Sequence, residues 1–116
     1  MSTRTPARSV LSAISERQFQ AQVIALARLA GWTWYFTHDS RRSPAGFPDL
    51  ILVRGGQLVA AEIKRERGRL TDPQREWLTL LGAVPGVIAE CWMPSSWARV
   101  EAVLAPRPDA RRRGEG

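Results

Sequence analysis

The chain has 116 residues, 44% of them hydrophobic and 24% charged, the size and balance of one small globular domain rather than of a disordered or fibrous chain. Seventeen Lys and Arg against eleven Asp and Glu give a formal net charge of +6, which makes polyanions, nucleic acid first, the expected partners. The single cysteine, Cys91, and single histidine, His38, exclude an intrachain disulfide, a multi-cysteine zinc site and a paired-histidine metal site, so any metal must be held by oxygen. No apolar run approaches the roughly 20 residues that span a bilayer, and the start MSTRTPARSV has no signal-peptide core. No membrane association and a soluble, cytoplasmic location are therefore expected.

Residues 1–13 mix Ser, Thr, Arg and Pro without a period, and residues 105–116 read APRPDARRRGEG. Both are expected to be flexible tails around a core spanning 14–104. The first helix opens on the capping box Ser15-x-x-Gln18, with Ile14 and Phe19 at the positions of a hydrophobic staple. Phe19, Val23, Leu26, Ala27 and Ala30 follow at helical spacing, and Gly31 stands where a C-terminal cap belongs. Glu16 falls within the apolar arc of this helix, so its carboxylate is expected to point toward the core.

Trp32, Trp34 and Phe36 alternate with Thr33, Tyr35 and Thr37, the period of a strand with one apolar face. A loop from Asp39 to Pro48 carries Arg41 and Arg42. Two short runs, Asp49–Val53 and Leu58–Lys64, flank Arg54-Gly55-Gly56-Gln57 and predict a hairpin with a two-residue turn. A second helix starts near Thr71 or Asp72, marked by Pro73 and by the pattern Thr71-x-x-Gln74, and ends at Gly82. Val87–Met93 predicts a further strand, and Pro94-Ser95-Ser96 leads into a short helix with Val100, Val103 and Leu104. The order is αβββαβα, an α/β domain with one central mixed sheet.

The hairpin carries the chemistry. A Gly55-Gly56 turn pairs Arg54 with Gln57, so opposed residue numbers sum to 111 and Asp49 faces Glu62. Like charges at that separation, about 5 Å between β-carbons, are destabilising. Lys64 lies two residues along the same face, which also carries Ile51, Val53, Leu58 and Ala60. A hard divalent cation between the two carboxylates would remove the rest of the repulsion.

Pro48-Asp49, followed thirteen positions later by Glu62-Ile63-Lys64, resembles the PD-(D/E)XK nuclease signature. Gly46-Phe47-Pro48-Asp49-Leu50-Ile51, then Gly68-x-Leu70-Thr71-x-x-Gln74-x-x-Trp77-Leu78, and the closing Trp92-x-Pro94-x-x-Trp97 resemble its VRR-NUC branch from about Glu16 to Leu104. The resemblance implies a single restriction-endonuclease-like domain and a metal-dependent endonuclease. It implies catalytic roles for Asp49, Glu62, Lys64, Glu16 and Gln74. Metal ligation, by Mg²⁺ with Mn²⁺ as substitute, would fall to Asp49, Glu62, the Ile63 carbonyl and Glu16.

Arg41, Arg42, Arg65, Arg67 and Arg69 flank the motif and are the candidate phosphate contacts. DNA is the implied partner, with branched DNA and four-way junctions suggested by small stand-alone members, together with a phage or bacterial origin. Symmetric scission of a junction needs two centres, so a homodimer is expected, with Trp92, Trp97, Val100, Val103 and Leu104 as its candidate contact. The competing reading is a DNA-binding or assembly protein that retains the fold without catalysis. Opposed carboxylates, which repel phosphate, argue against it.

Overall fold

Two glycines at positive φ, Gly55 at 53° and Gly56 at 83°, close the hairpin on which the sheet is built, the backbone that a two-residue turn of this hand requires. They join β2 (Leu50–Arg54) to β3 (Gln57–Ile63) in antiparallel register, with Arg54 opposite Gln57 and Leu50 opposite Ala61. This is the sum of 111 that the turn predicts. The computed structural model describes residues 8–37 and 44–105. Within them, β1 (Thr33–Phe36) pairs antiparallel with β2, and β4 (Val87–Trp92) pairs parallel with β3. The four-stranded sheet is mixed, in the order β1-β2-β3-β4.

One face of the sheet is the core. Leu50, Leu52, Val59, Ala61 and Ile63 are fully buried there against Phe19, Val23 and Ala27 of α2 (Glu16–Leu29) and Val100 and Leu104 of α4 (Trp97–Leu104). Ser15 starts α2 by the expected capping box: its Oγ accepts from the Gln18 N–H at 3.0 Å, and Gln18 Oε1 accepts from the Ser15 N–H at 2.8 Å. On the opposite face α3 (Asp72–Gly82) covers β3 and β4, so closely that a β-carbon on Gly82 would touch the Ala89 side chain. The β1–β2 half of that face stays open, with Tyr35 and Val53 exposed.

Three expectations are corrected. Residues 8–12, read as tail, form a short helix α1 (Arg8–Ser12) that buries Leu11. Trp34 faces the core side but remains 39% exposed, because β1 is an edge strand with a neighbour on one side only. The proposed dimer contact is interior: Trp92, Val100 and Leu104 are fully buried, and Trp97 and Val103 pack against the same cluster. A 3₁₀ turn (Pro94–Ser96) reverses the chain after β4, so α4 lies back on α2, with Trp97 edge-on to Phe19 at 6.3 Å. Glu90 fastens that return by accepting from the Arg99 guanidinium and from Trp92 Nε1. Among the described residues no helix is long and apolar enough to cross a membrane.

Arg54, at the hairpin end, ties three segments together. Its guanidinium donates to the carbonyls of Ala30, Leu104 and Ala105 and lies 4.3 Å from the centre of the Trp32 ring. Trp32 Nε1 donates to the same Leu104 carbonyl at 2.9 Å. The C-terminal ends of α2 and α4 thus have their carbonyls satisfied by one side chain. Arg54→Met is expected to lower unfolding free energy by about 1–3 kcal/mol in urea titration, the cost of losing charge-assisted bonds to partly buried carbonyls.

Candidate active site

Asp49 is positioned from both sides. Its carbonyl accepts from the Thr37 N–H at 2.8 Å, which continues the β1–β2 pairing by one residue, and Thr37 Oγ1 donates to the carbonyl of buried Pro48 at 2.6 Å. The side chain then reaches across the hairpin, where Asp49 Oδ2 accepts from the Ile63 N–H at 3.0 Å. Glu62, the residue before, is 3% exposed. Its Oε2 accepts from Gln74 Nε2 at 3.0 Å and lies 3.7 Å from Lys64 Nζ. Its Oε1 is buried without a hydrogen-bond partner in the protein.

An unpartnered buried carboxylate oxygen is costly, and the cost shows in the proton affinity. Burial first, then the negative charge of Asp49 and a hydrogen bond that the protonated carboxyl makes to the Asp49 side chain, push Glu62 from its ordinary 4.5 up to about 8, with Lys64 pulling downward and Glu16 adding to the upward push. Cys91 pairs with Glu62 on the parallel strand β4. Its thiol is pushed up to about 11 by burial and then by Glu62, so it stays protonated and a poor nucleophile at neutral pH.

Loops on either side hold the hairpin to its neighbours. Gly46, at φ 97°, lies directly on the first turn of α3: a β-carbon there would come within 2.5 Å of the Pro73 carbonyl carbon and 2.8 Å of the Gln74 nitrogen. Phe47 meets Trp77 edge-on at 5.0 Å. The segment that delivers Asp49 is thereby clamped to the helix that delivers Gln74. After the motif, the Gly68 N–H donates to the Arg65 carbonyl at 2.9 Å, and the Ser95 N–H donates to Glu66 Oε1 at 3.0 Å. Arg67 takes a φ of 70°, a strained value for a side-chain-bearing residue. A β-carbon on Gly68 would stand 3.2 Å from that of Lys64, so this glycine leaves room for the lysine side chain.

The structure brings Asp49, Glu62, Lys64 and Gln74 together. The Ile63 side chain belongs to the core, so only its main chain is available to the site. Glu16 does not point toward the core: it is exposed, because the buried stripe of α2 begins only at Phe19. Its charge reaches Glu62, but among the described residues no three Asp, Glu, His or Cys side chains form one metal-holding cluster. Arg65, Arg67 and Arg69 are exposed on the loop after Lys64. Arg41, Arg42 and His38 lie outside the described residues. The resemblance places Gln74 at the site, but its bond to Glu62, the packing of Gly46 on α3 and the place of Cys91 beside Glu62 have no signal in the sequence.

The donor set fits a hard divalent cation. Glu62 Oε1 is a buried oxygen without a hydrogen-bond donor, and its carboxyl is pushed toward the protonated form by burial and by Asp49, an arrangement that a bound cation would relieve. The two carboxylates opposed across the hairpin leave the remaining ligands to main-chain carbonyls and water, an all-oxygen set that suits a hard divalent ion.

In comparisons with known proteins, the sequence model of the VRR-NUC domain matches residues 5–92. That span contains every residue of this site and ends at the last residue of β4. No curated protein and no solved structure matches.

The raised Glu62 carboxyl sets the pH dependence of the metal-free fold. A group that binds its proton more tightly when folded gives stability that is complete below its ordinary value of 4.5 and is lost as pH rises through about 8. In chelator, unfolding free energy is expected to fall by on the order of 2–4 kcal/mol between about pH 5 and about pH 8.5, and Glu62→Gln should flatten that decline. An unchanged slope in the variant would show that Glu62 is not the group responsible.

Proposed function

Since the chain belongs to the VRR-NUC family of the PD-(D/E)XK nuclease superfamily, we propose that it is a divalent-metal-dependent endonuclease that hydrolyses DNA phosphodiester bonds at Asp49, Glu62 and Lys64. The observation that carries this reading is the buried Oε1 of Glu62, without a donor, next to the Asp49 carboxylate that reaches across to the Ile63 N–H. A buried carboxylate oxygen without a donor costs stability and calls for a partner that the protein itself does not supply. Asp49, Glu62 and the Ile63 carbonyl would hold Mg²⁺, or Mn²⁺ in its place, with Glu16 acting through water. Bound there, such an ion would supply the neutralisation of charge on the phosphoryl oxygens, a more nucleophilic water and stabilisation of the leaving alkoxide.

The chain's own groups do the rest. Lys64, held against Glu62 at 3.7 Å, orients the attacking water and offsets negative charge that develops on the phosphoryl oxygens. Glu62, once deprotonated, keeps Lys64 in place. Arg65, Arg67 and Arg69, exposed on the loop that follows, bind phosphates beside the scissile one. Arg41 and Arg42 are assigned the same task from the sequence alone. The competing binding-only reading requires none of the apposed Asp49, Glu62 and Lys64.

Asp49→Ala, Glu62→Ala and Lys64→Ala are each expected to lower the single-turnover cleavage rate by at least about a hundredfold, with folding and metal-free DNA affinity retained. EDTA should abolish cleavage, Mg²⁺ or Mn²⁺ should restore it, and Ca²⁺ should support binding with little turnover. Labelled duplex, single strand, flap and four-way junction, tested side by side with sedimentation, decide the substrate and whether a homodimer acts on junctions. Wild-type rates in any of the three folded variants would overturn the site, and tight DNA binding without cleavage under every ion would favour the binding-only reading.

A further inference from the structure

Gln74 serves two structures with one carboxamide. Its Oε1 accepts from the Thr71 N–H at 2.9 Å, while its own N–H donates to Thr71 Oγ1 at 3.2 Å, which together form the capping box of α3. Its Nε2 donates to Glu62 Oε2 at 3.0 Å. A carboxamide has one accepting end and one donating end. The helix cap takes the accepting end, so the donating end is the one turned toward Glu62.

Glutamate would satisfy the cap equally well, since either residue serves at this position of a capping box. What glutamate cannot do is donate to a carboxylate. In its place it would set a third negative group against Glu62, beside Asp49. The choice of glutamine is therefore explained by Glu62 and not by the helix.

We propose that Thr71 and Gln74 are a positioning pair: the helix cap fixes the direction of the Gln74 amide, and the amide, by occupying Oε2 of Glu62, leaves Oε1 as the oxygen presented to the metal. Gln74 then acts through Glu62 and needs no contact with substrate. Gly46, packed on the backbone of Pro73 and Gln74, holds this turn of α3 beside the hairpin, so the cap cannot drift from the carboxylate it orients. The part concerning the ion rests on the nuclease reading. The part concerning the amide does not.

Two measurements separate them. In the metal-free protein, the Gln74 side-chain amide, identified by its absence in Gln74→Glu, should give shifted and exchange-protected NMR signals. Thr71→Ser keeps both capping bonds and should preserve those signals. Thr71→Pro, whose ring suits the Thr71 φ of −77° but removes its N–H, should collapse them, as should Glu62→Ala. Averaged, unprotected signals in the wild type, or full protection in Thr71→Pro, would overturn the proposal whatever the metal does.

In the second measurement Mn²⁺ alone is titrated and followed by electron paramagnetic resonance. Thr71→Ser should bind as the wild type does. Gln74→Met and Gln74→Glu, the latter with its helix cap intact, should each bind at least about tenfold more weakly, as expected when a group orienting a metal ligand is removed. Unchanged affinity in both Gln74 variants would overturn the assignment of Oε1. Absence of Mn²⁺ binding in the wild type would overturn both the metal site and that assignment, while the NMR result still decides the role of the cap.

Discussion

The repulsion between Asp49 and Glu62 across one hairpin is the constraint that the rest of the structure answers. Each carboxylate has one oxygen engaged by the protein: Asp49 Oδ2 by the Ile63 N–H, and Glu62 Oε2 by Gln74 and Lys64. What remains unanswered is Glu62 Oε1. The apposition itself depends on a turn five pairs away, because only a two-residue loop with both glycines at positive φ keeps the pairing sum at 111. A slip of one residue would send one carboxylate into the packed face of the sheet.

The two faces of the sheet divide the work. One carries Leu50, Leu52, Val59, Ala61 and Ile63 into a core roofed by α2 and α4. That core stabilises the hairpin strongly enough for the opposite face to hold a destabilising pair of acids. Across the site face, α3 brings Gln74 to Glu62, and Gly46 and the Phe47–Trp77 contact hold the entering loop to that helix. Arg54 closes the far end of the hairpin by binding the last carbonyls of α2 and α4. The acids sit at one end of the strands and the structural arginine at the other.

Where local rules govern, the sequence was readable. The Gly-Gly turn admits one register, and each capping box names its helix start, so the opposition of Asp49 and Glu62 and the starts of α2 and α3 follow from residue spacing. Tertiary relations were less accessible. Glu16 looked inward because a helical wheel assumes a core running the whole length of the helix, whereas burial in α2 begins at Phe19. Trp92, Val100 and Leu104 looked like surplus apolar surface, since composition does not say that α4 folds back over β4. Thr71-x-x-Gln74 is legible as a cap and, through the resemblance, Gln74 as a site residue, but its bond to Glu62 is not, because the second bond of the amide crosses between elements. Arg54 gives no sign at all, as its partners, Ala30 and Trp32 on one side and Leu104 and Ala105 on the other, come from two separated segments.

A divalent cation bound between Asp49 and Glu62 would displace the proton that burial and Asp49 favour on Glu62. Calorimetric titration of Mg²⁺ into the protein near pH 7, repeated in buffers of different ionisation enthalpy, counts the protons released on binding. With the Glu62 carboxyl pushed up to about 8, close to one proton should leave per ion bound in the wild type, and none in Glu62→Gln. Mg²⁺ binding without proton release in the wild type would contradict the claim.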